Sequence, residues 1–400
     1  MRIIGSRGFA ALAVITVLVG ACSSSGSSAA PASGAPAASA PAASSGGGAP
    51  SAAASGGGSA ATATSAADVG GVDALCAAGK TEGQVTLIAT PPDWANYGQM
   101  ISDFTAKYGI KVQSDKPDAD SQAEITQAQQ LAGTGRQPDL FDLGSVVAKA
   151  HTDMYAPYKV ATWADIPDGN KEATGLWWNN YTGFESIGLD TKLGDITKVA
   201  DLADPKYKGK VALNGDPLKA SAGFNGVVMA SLANGGSADD IAPGVAFFKK
   251  LSDSGNLIPV DPAPATIASG QTPIVIDWTY NNGAQTAVLA PKGTTWKTVI
   301  PSDAAPVAAY YNSAINKGAA HPAAARCWME YVMSDAGQNT WLKGFALPVR
   351  LAAMQTAKTL DATALAALNP PTTPPVVLTQ AQTDTATKYL TDNWKFISIK

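Results

Sequence analysis

Histidine and cysteine are scarce in this chain, which has two histidines and three cysteines among 400 residues. With only His151 and His321, a histidine-rich metal site is excluded. The chain also lacks the G-x-S-x-G, G-x-x-x-x-G-K-[ST] and G-x-G-x-x-G patterns of hydrolase nucleophiles, phosphate loops and dinucleotide sites. We therefore expect no metal, no cofactor and no enzymatic activity. A secreted hydrolase is the open alternative, because pairs of carboxylates can cleave glycosides.

Basic residues are fewer than acidic ones, 28 against 32. Arg2 and Arg7 lie in an amino-terminal leader that we expect to be removed, which leaves 26 basic residues and a formal charge near −6. An acidic surface argues against nucleic acid or anionic lipid as a partner. Downstream of that leader, no apolar run approaches the roughly 18 residues of a membrane span, so we expect no membrane segment there.

The first 22 residues resemble a bacterial lipoprotein signal peptide. Arg2 and Arg7 precede an apolar segment of 11 residues, Phe9 to Val19, which is too short to cross a hydrocarbon core of roughly 30 Å. Small residues then lead to Cys22. The resemblance implies that residues 1–21 are removed and that a lipid on Cys22 anchors the exported protein to the outer face of the cell membrane. The alternative is an ordinary secretory signal with an incidental cysteine.

A segment of very low complexity follows the leader. From Ser23 to Ala67, 45 residues are Ala, Ser, Gly, Pro or Thr without exception. Such a segment cannot bury enough apolar surface to offset its ordering entropy. We interpret residues 22–68 as the anchored cysteine and a disordered spacer, with a root-mean-square span of roughly 35 to 40 Å.

The remaining residues alternate between strand-like and helix-like patterns. Val85 to Ala89 is a short apolar run, and Asn96 to Tyr108 has apolar residues at helical spacing. The order βαβαβ up to Leu143 predicts a parallel sheet with crossover helices. Ligands of such sheets lie beyond the carboxyl ends of the strands. A second α/β region follows, so we predict an α/β protein with two lobes.

Three motifs occur in order in the second half of the chain: Asp201–Leu213 (DLADPKYKGKVAL), Ala319–Gln338 (with HPAAAR and YVMSDAGQ) and Leu347–Arg350 (LPVR). Together they resemble the bacterial extracellular solute-binding proteins of ABC importers, in the ferric-iron, polyamine and thiamine branch. The resemblance implies the two-lobed periplasmic-binding-protein, or Venus-flytrap, fold with crossover strands between the lobes. It also implies a monomer that closes on a small molecule and delivers it to an ABC permease. A surface sensor with the same clamp is an alternative.

The resemblance and the element order together suggest lobe bounds. We expect lobe 1 in residues 69–182 and 308–350, lobe 2 in residues 183–307, and leave residues 351–400 unassigned. Two cysteines remain in the mature chain, Cys76 and Cys327. An even pair in an exported protein suggests a disulfide, with two buried free thiols as the alternative.

Candidate ligand-binding residues lie after strands and in the segments that cross between lobes. They are aromatic, acidic or polar: Asp93, Trp94, Asn96, Asp142, Ser145, Trp178, Tyr181, Glu185, Ser221, Asp277, Trp278, Tyr280 and Tyr311. Aromatic faces with carboxylates favour an organic cation, polyamine-like in our first hypothesis. Strand alternation points Asp277 and Trp278 to opposite sides, and we expect Trp278 to face the ligand.

Two other ligands stay open. Ferric iron needs oxygen donors, but where the ferric-iron branch has two adjacent tyrosines this chain has Asp277-Trp278-Thr279-Tyr280, and tryptophan does not bind metals. A phosphate ester or phosphonate could accept hydrogen bonds from backbone N–H groups at Ser221-Ala222-Gly223, just before a predicted helix.

The lipid anchor is directly testable. Labelled fatty acid should enter the wild-type protein, and Cys22→Ser should release the protein from membranes, because each buried methylene contributes about 0.8 kcal/mol of membrane binding. Ser23→Ala is the matched control and should stay membrane-bound. A mature protein that begins elsewhere, without lipid, would refute the anchor.

Overall fold

The computed structural model describes residues 59–117 and 119–399. The expected signal peptide, Cys22 and most of the expected spacer lie outside these residues. The strands are β1 Gln84–Ile88, β2 Lys111–Asp115, β3 Leu140–Gly144, β4 Tyr155–Ala156, β5 Trp178–Asp190, β6 Val211–Leu213, β7 Ile274–Trp278, β8 Trp296–Val299, β9 Ala308–Asn316 and β10 Leu347–Pro348. The helices are α1 Val72–Glu82, α2 Tyr97–Tyr108, α3 Ser121–Gln130, α4 Ser145–Ala150, α5 Ser221–Ala233, α6 Ala242–Ser254, α7 Pro264–Ala268, α8 Thr279–Leu289, α9 Pro322–Val332, α10 Asp335–Lys343, α11 Leu351–Ala357, α12 Ala362–Leu368 and α13 Gln380–Asn393. Within the described ranges, no helix is both long and apolar enough to cross a membrane.

The first three strands only partly follow the predicted parallel order. β1 and β2 pair in parallel, from Gln84 opposite Lys111 to Ile88 opposite Asp115. β3 instead pairs antiparallel with β9, with Leu140 opposite Ile315. The expectation of one parallel sheet is therefore wrong for β3. Its partner comes from much later in the chain, and local periodicity carries no information about such long-range pairing.

Strand β5 connects two separate cores. The first half of this 13-residue strand pairs with β9 and β10, and the second half pairs with β7 and β8. Only its last residue, Asp190, is not fully buried. A strand that is buried over its whole length and bonded to different partners at each end lies at the junction of two packed units.

Two hydrophobic cores lie on either side of this junction. We name lobe 1 the part that surrounds the first core, which consists of β1–β4, β10, α1–α4, α9, α10 and α12. We name lobe 2 the part that surrounds the second core, which consists of β6–β8, α5–α8 and α13. β5 belongs to both lobes. β9 pairs with the first half of β5 and begins directly after Val307 of the second core, so we call β5 and β9 the crossing strands.

The sequence motif Asp201–Leu213 has structural roles in lobe 2. Leu202 and Tyr207 are buried in the second core. The Asp204 side chain accepts a hydrogen bond of 2.9 Å from the backbone N–H of Lys206, and Gly209 adopts a φ of 72° that favours glycine. The motif thus specifies turns and core contacts.

Helices α1 and α9 are joined by a disulfide between Cys76 and Cys327, whose Cα atoms lie 5.0 Å apart. The helices also approach closely at Gly79, where a Cβ atom would lie 2.8 Å from the Cα of Ala324. Since real Cβ atoms do not come that near, Gly79 permits the contact that brings the two cysteines together. The disulfide thus links an early and a late segment of lobe 1.

The folded region begins earlier than the expected end of the spacer. Ala63 and Ala66 are buried, and the Arg326 guanidinium Nε donates a hydrogen bond of 2.7 Å to the backbone oxygen of Ala63. Residues 59–68 therefore pack on lobe 1, which corrects the disordered assignment for this part of residues 22–68. Alanine occurs both in close packing contacts and in disordered spacers, so composition alone does not distinguish a packed segment from a disordered one.

Residues 351–399 divide between the two lobes. Helix α12 packs on α10, where Ala364 and Leu368 form a small core with Leu342. Helix α13 packs on α6 in lobe 2, and the rings of Trp394 and Phe248 lie 5.6 Å apart. The chain therefore passes from lobe 1 to lobe 2 after α12.

Loss of the disulfide should destabilise lobe 1. The bond closes a loop with a sequence separation of 251 residues, for which chain entropy predicts at most about 5 kcal/mol. The double variant Cys76→Ala, Cys327→Ala should therefore lose up to that free energy of unfolding, measured by urea denaturation. Reductant should destabilise the wild type and leave the double variant unchanged; an unaffected wild type would contradict the role of the bond.

Candidate ligand-binding cavity

A cavity of about 530 Å³ is lined by residues of both lobes. Its walls come from the segments that follow β1 and β2 in lobe 1 and β6 and β7 in lobe 2, together with Asp142 in β3, Asp277 in β7 and Tyr311 in β9. The lining residues with polar, charged or aromatic side chains are Asp93, Trp94, Asp120, Ser121, Glu124, Asp142, Asn214, Asp216, Lys219, Ser221, Asp261, Asp277, Asn281, Gln285 and Tyr311. This position matches the rule that ligands bind beyond the carboxyl ends of strands.

The structure brings six of the thirteen candidate residues to the cavity. These are Asp93, Trp94, Asp142, Ser221, Asp277 and Tyr311. The other seven lie elsewhere: Asn96, Ser145, Trp178, Tyr181, Glu185, Trp278 and Tyr280. Asp93, Trp94 and Asp142 come from lobe 1, whereas Ser221 and Asp277 come from lobe 2.

Asp142 is held in place by neutral donors. The hydroxyls of Tyr97 and Tyr181 donate to its Oδ2 at 2.6 and 3.2 Å, and Asn180 Nδ2 donates to its Oδ1 at 2.9 Å. None of these partners carries a positive charge. Burial raises the pKa of Asp142 to about 6, although the three hydrogen bonds oppose that shift.

Glu124 forms a carboxylate pair with Asp142 in the wall of lobe 1. Its Oε2 accepts a hydrogen bond of 3.1 Å from the backbone N–H of Asp142. Burial is the larger cause and the nearby charge of Asp142 the smaller cause that hold the pKa of Glu124 well above its usual range. Two buried carboxyl groups with no cation between them favour binding of a positive charge.

Asp277 lines the cavity from lobe 2; it is the fourth residue of β7 and is itself buried. Its Oδ1 accepts hydrogen bonds from the backbone N–H of Trp278 at 2.7 Å and from Asn281 Nδ2 at 3.1 Å. Burial raises the pKa of Asp277 to about 7. Asp261 lines the same wall, bound by the backbone N–H of Gly215 at 2.8 Å, and burial raises its pKa as well.

The cavity is strongly acidic. Seven carboxyl residues line it, and Lys219 is the one basic residue among the described lining residues. Lys219 is largely exposed and lies 3.9 Å from Asp216, so it leaves the deeper carboxyl groups without a cation. Burial raises the pKa of Glu124, Asp142, Asp261 and Asp277, and a bound positive charge would favour their ionised forms.

Aromatic rings form the side of the cavity near the crossing strands. The Tyr181 and Tyr311 rings are stacked with centroids 5.6 Å apart and planes 9° apart. Trp94 contacts Tyr311 edge-on at 5.6 Å, and its Nε1 donates to the Tyr181 hydroxyl at 2.7 Å. Trp94 and Tyr311 line the cavity, whereas Tyr181 supports them from behind.

The expected orientation of Asp277 and Trp278 is wrong. Asp277 lines the cavity, whereas Trp278 is 0% exposed and stacks on Tyr280 with centroids 6.2 Å apart. Both rings belong to the core at the junction of the lobes. A Cβ atom on Gly183 would lie 2.5 Å from the Tyr280 ring, so glycine on β5 makes room for this packing. Alternation was predicted correctly, but it could not determine which face met the cavity.

The other misplaced candidates are buried or hydrogen-bonded outside the cavity lining. Trp178 is fully buried against Trp163, with centroids 5.7 Å apart. Glu185 is 0% exposed and its oxygens have no hydrogen-bond partner among the described residues; burial holds its pKa well above the usual range. Asn96 donates to the backbone oxygen of Thr340 at 3.1 Å, and the Ser145 hydroxyl donates to that of Tyr310 at 3.2 Å.

Several lining residues were missed from the sequence. Asp120 and Glu124 follow β2, Asn214 and Asp216 follow β6, and Asp261 follows Leu257. The strand-end rule, applied to β2 and β6 as it was to β1 and β3, would have indicated the first four. Leu257 forms only an isolated bridge with Val211, so Asp261 had no comparable signal.

Residues 139–372 match the family model described as bacterial extracellular solute-binding protein. The chain belongs to this family. The match includes β3, the crossing strands and the wall of lobe 2 that holds Asp261 and Asp277. It confirms the resemblance that the three sequence motifs carry. Among curated proteins, none matches the chain.

Solved structures of the same fold support the assignment. Iron-bound HitA from Pseudomonas aeruginosa has 19% sequence identity and a TM-score of 0.56, over 78% of this chain and 99% of that chain. A putative spermidine/putrescine ABC transporter protein from Listeria monocytogenes has 14% identity and a TM-score of 0.57, over 78% and 99%. AfuA from Actinobacillus pleuropneumoniae, with fructose-6-phosphate bound, has 16% identity and a TM-score of 0.57, over 78% and 98%.

These relatives confirm the two-lobed periplasmic-binding-protein fold. As a member of the family, the chain is an exported protein that binds a solute. Because the named ligands of the three relatives include a metal, polyamines and a sugar phosphate, the fold does not select among them.

Trp278 should contribute mainly to stability. Trp278→Ala should lower the free energy of unfolding by about 3 to 5 kcal/mol, because it removes a buried ring at the junction of the lobes. Trp177→Ala, in a half-buried position, is the matched control and should lower it by clearly less. Urea denaturation measures both values. A Trp278→Ala protein as stable as the wild type would contradict the core assignment.

Proposed function

We propose that the receptor binds a small organic cation, of the polyamine type. One observation carries the proposal: seven carboxyl residues and the rings of Trp94 and Tyr311 line a single cavity in which Lys219 is the one described basic residue. Carboxylates bind ammonium groups through charge-assisted hydrogen bonds, and aromatic faces attract cations.

The two lobes supply complementary halves of this site. Asp142 and Glu124 lie in the lobe 1 wall, and Asp261 and Asp277 lie in the lobe 2 wall. A cation that contacts both walls reduces the repulsion between them, so binding favours the closed arrangement of the lobes. A molecule with positive charge at more than one point suits a cavity with acidic groups on both sides.

The observations give less support to the other ligands. A phosphate ester at the amino end of α5, where Ser221 lines the cavity, would face the same seven carboxyl residues, and like charges repel. For ferric iron, Tyr311 lines the cavity but its neighbour Tyr310 does not. In the described part of the chain, no three His, Cys, Asp or Glu side chains are arranged to hold a metal ion.

We also propose that the receptor is a monomer anchored through a lipid on Cys22. Residues 59–68 pack on lobe 1, so a spacer that follows Cys22 would lead into that lobe. We keep the lobe bounds proposed from sequence, residues 69–182 and 308–350 for lobe 1 and 183–307 for lobe 2. To these we add residues 59–68 and α12 for lobe 1, and α13 for lobe 2.

Amine binding should depend on pH with a defined sign. The pKa values of Asp142 and Asp277 are about 6 and about 7, both raised by burial. A cation binds the ionised forms, so affinity for spermidine should rise by at least about tenfold from pH 5.5 to pH 8 as protons leave. The stability of the unliganded protein should instead fall over this pH range. Because folding raises both pKa values, the stabilising contribution of the two protonated carboxyl groups is lost as pH rises through 6 to 7.

Titration calorimetry with spermidine and putrescine measures the first effect, and thermal melts without amine measure the second. Asp277→Asn should weaken amine binding at pH 8 by about tenfold or more, whereas Asp392→Asn, at an exposed position on α13, should not. If neither amine binds the wild type at pH 8, or if binding is equal at both pH values, the proposed ligand class is wrong.

A further inference from the structure

The carboxyl-terminal part of the chain extends beyond the family match and reaches the cavity. The match ends at residue 372, yet Ile399 is among the lining residues of the cavity. Among the described lining residues, Ile399 and Ile267 have the largest aliphatic side chains. A segment outside the common family region thus adds an apolar side chain to an acidic site.

The path of the chain explains how this segment reaches lobe 2. After α12, which packs in lobe 1, the Val376 backbone N–H donates to the oxygen of Pro306 at 2.7 Å, and the Ala308 N–H donates to the oxygen of Val376 at 3.0 Å. These bonds place Val376 beside Val307, which is 1% exposed and immediately precedes β9. The segment therefore passes along one of the crossing strands.

Helix α13 then fixes the segment on lobe 2. Ala386, Leu390 and Trp394 are buried in the second core, and the Trp394 ring lies 5.6 Å from Phe248 and 4.7 Å from Phe396. Ile399 belongs to the same core and is 8% exposed. A residue that packs in a core on one side and lines a cavity on the other is held in place.

We infer that Ile399 is a specificity-determining residue that forms an apolar wall of the cavity and limits the size of the bound molecule. The inference rests on the proposed function for the class of that molecule, an organic cation. Carboxylates recognise the charged ends of an alkyl amine, but its methylene groups gain free energy only from apolar contact. Ile399 offers such contact, and its volume sets how much alkyl chain fits beside it.

Ile399→Trp tests the wall by enlarging the side chain. Calorimetry should show at least a tenfold loss of affinity for spermidine and less than a threefold loss for the shorter putrescine. Ile397→Trp, two residues earlier and outside the cavity lining, is the matched control and should change neither. An equal loss for both amines, or no loss, would overturn the selective role, provided that thermal melts show both variants to be folded.

A second experiment needs no bound amine. Ile399→Cys should react faster with the cationic reagent methanethiosulfonate ethylammonium than with the anionic ethylsulfonate, because acidic groups surround the cavity. The ratio of the two rates should exceed that of Ile397→Cys by at least tenfold, after subtraction of wild-type labelling. Equal ratios would show that residue 399 does not face the acidic cavity. If the ratio is high but wild type binds neither amine, the cation proposal fails and Ile399 remains a wall residue.

Discussion

The pairing of β5 with partners from both lobes is the constraint on which the rest of the structure depends. Its first half bonds to β9 and β10 and its second half to β7 and β8. Because one buried strand serves two cores, the lobes meet along it, and the segments after β1, β2, β6 and β7 line a single cavity. The rings of Tyr181, Tyr311 and Tyr280 pack at this junction and connect the crossing strands to the cavity wall.

The cavity shows how a stable fold can hold groups that burial disfavours. Asp142, Glu124 and Asp277 are bound by neutral donors rather than by cations, and burial raises the pKa of each. Their placement reduces the stability of the empty protein at neutral pH. A bound cation would offset that loss, so binding energy and the closed state become linked through the same carboxyl groups.

The tryptophan and tyrosine residues illustrate the difference between composition and role. An aromatic and acidic set of residues suggests a cation site, and part of the set does meet at the cavity, in Trp94, Tyr311, Asp142 and Asp277. Trp178, Trp278 and Tyr280 instead pack in the first core. Large aromatic rings suit both core packing and ligand binding, since they bury much surface and also stack on ligands.

The family, the two-lobed α/β class and early elements such as β1 and α2 can be predicted from the sequence, because ordered motifs, strand and helix periodicity and turn residues are local signals. Strand alternation also indicates that Asp277 and Trp278 point to opposite sides. Long-range contacts in the folded protein determine which of them faces the cavity, that β3 pairs with β9, that residues 59–68 pack on lobe 1, and that Ile399 reaches the site. These outcomes depend on contacts between segments that are distant in the chain, and the free energy of such contacts is not encoded in any short stretch of residues.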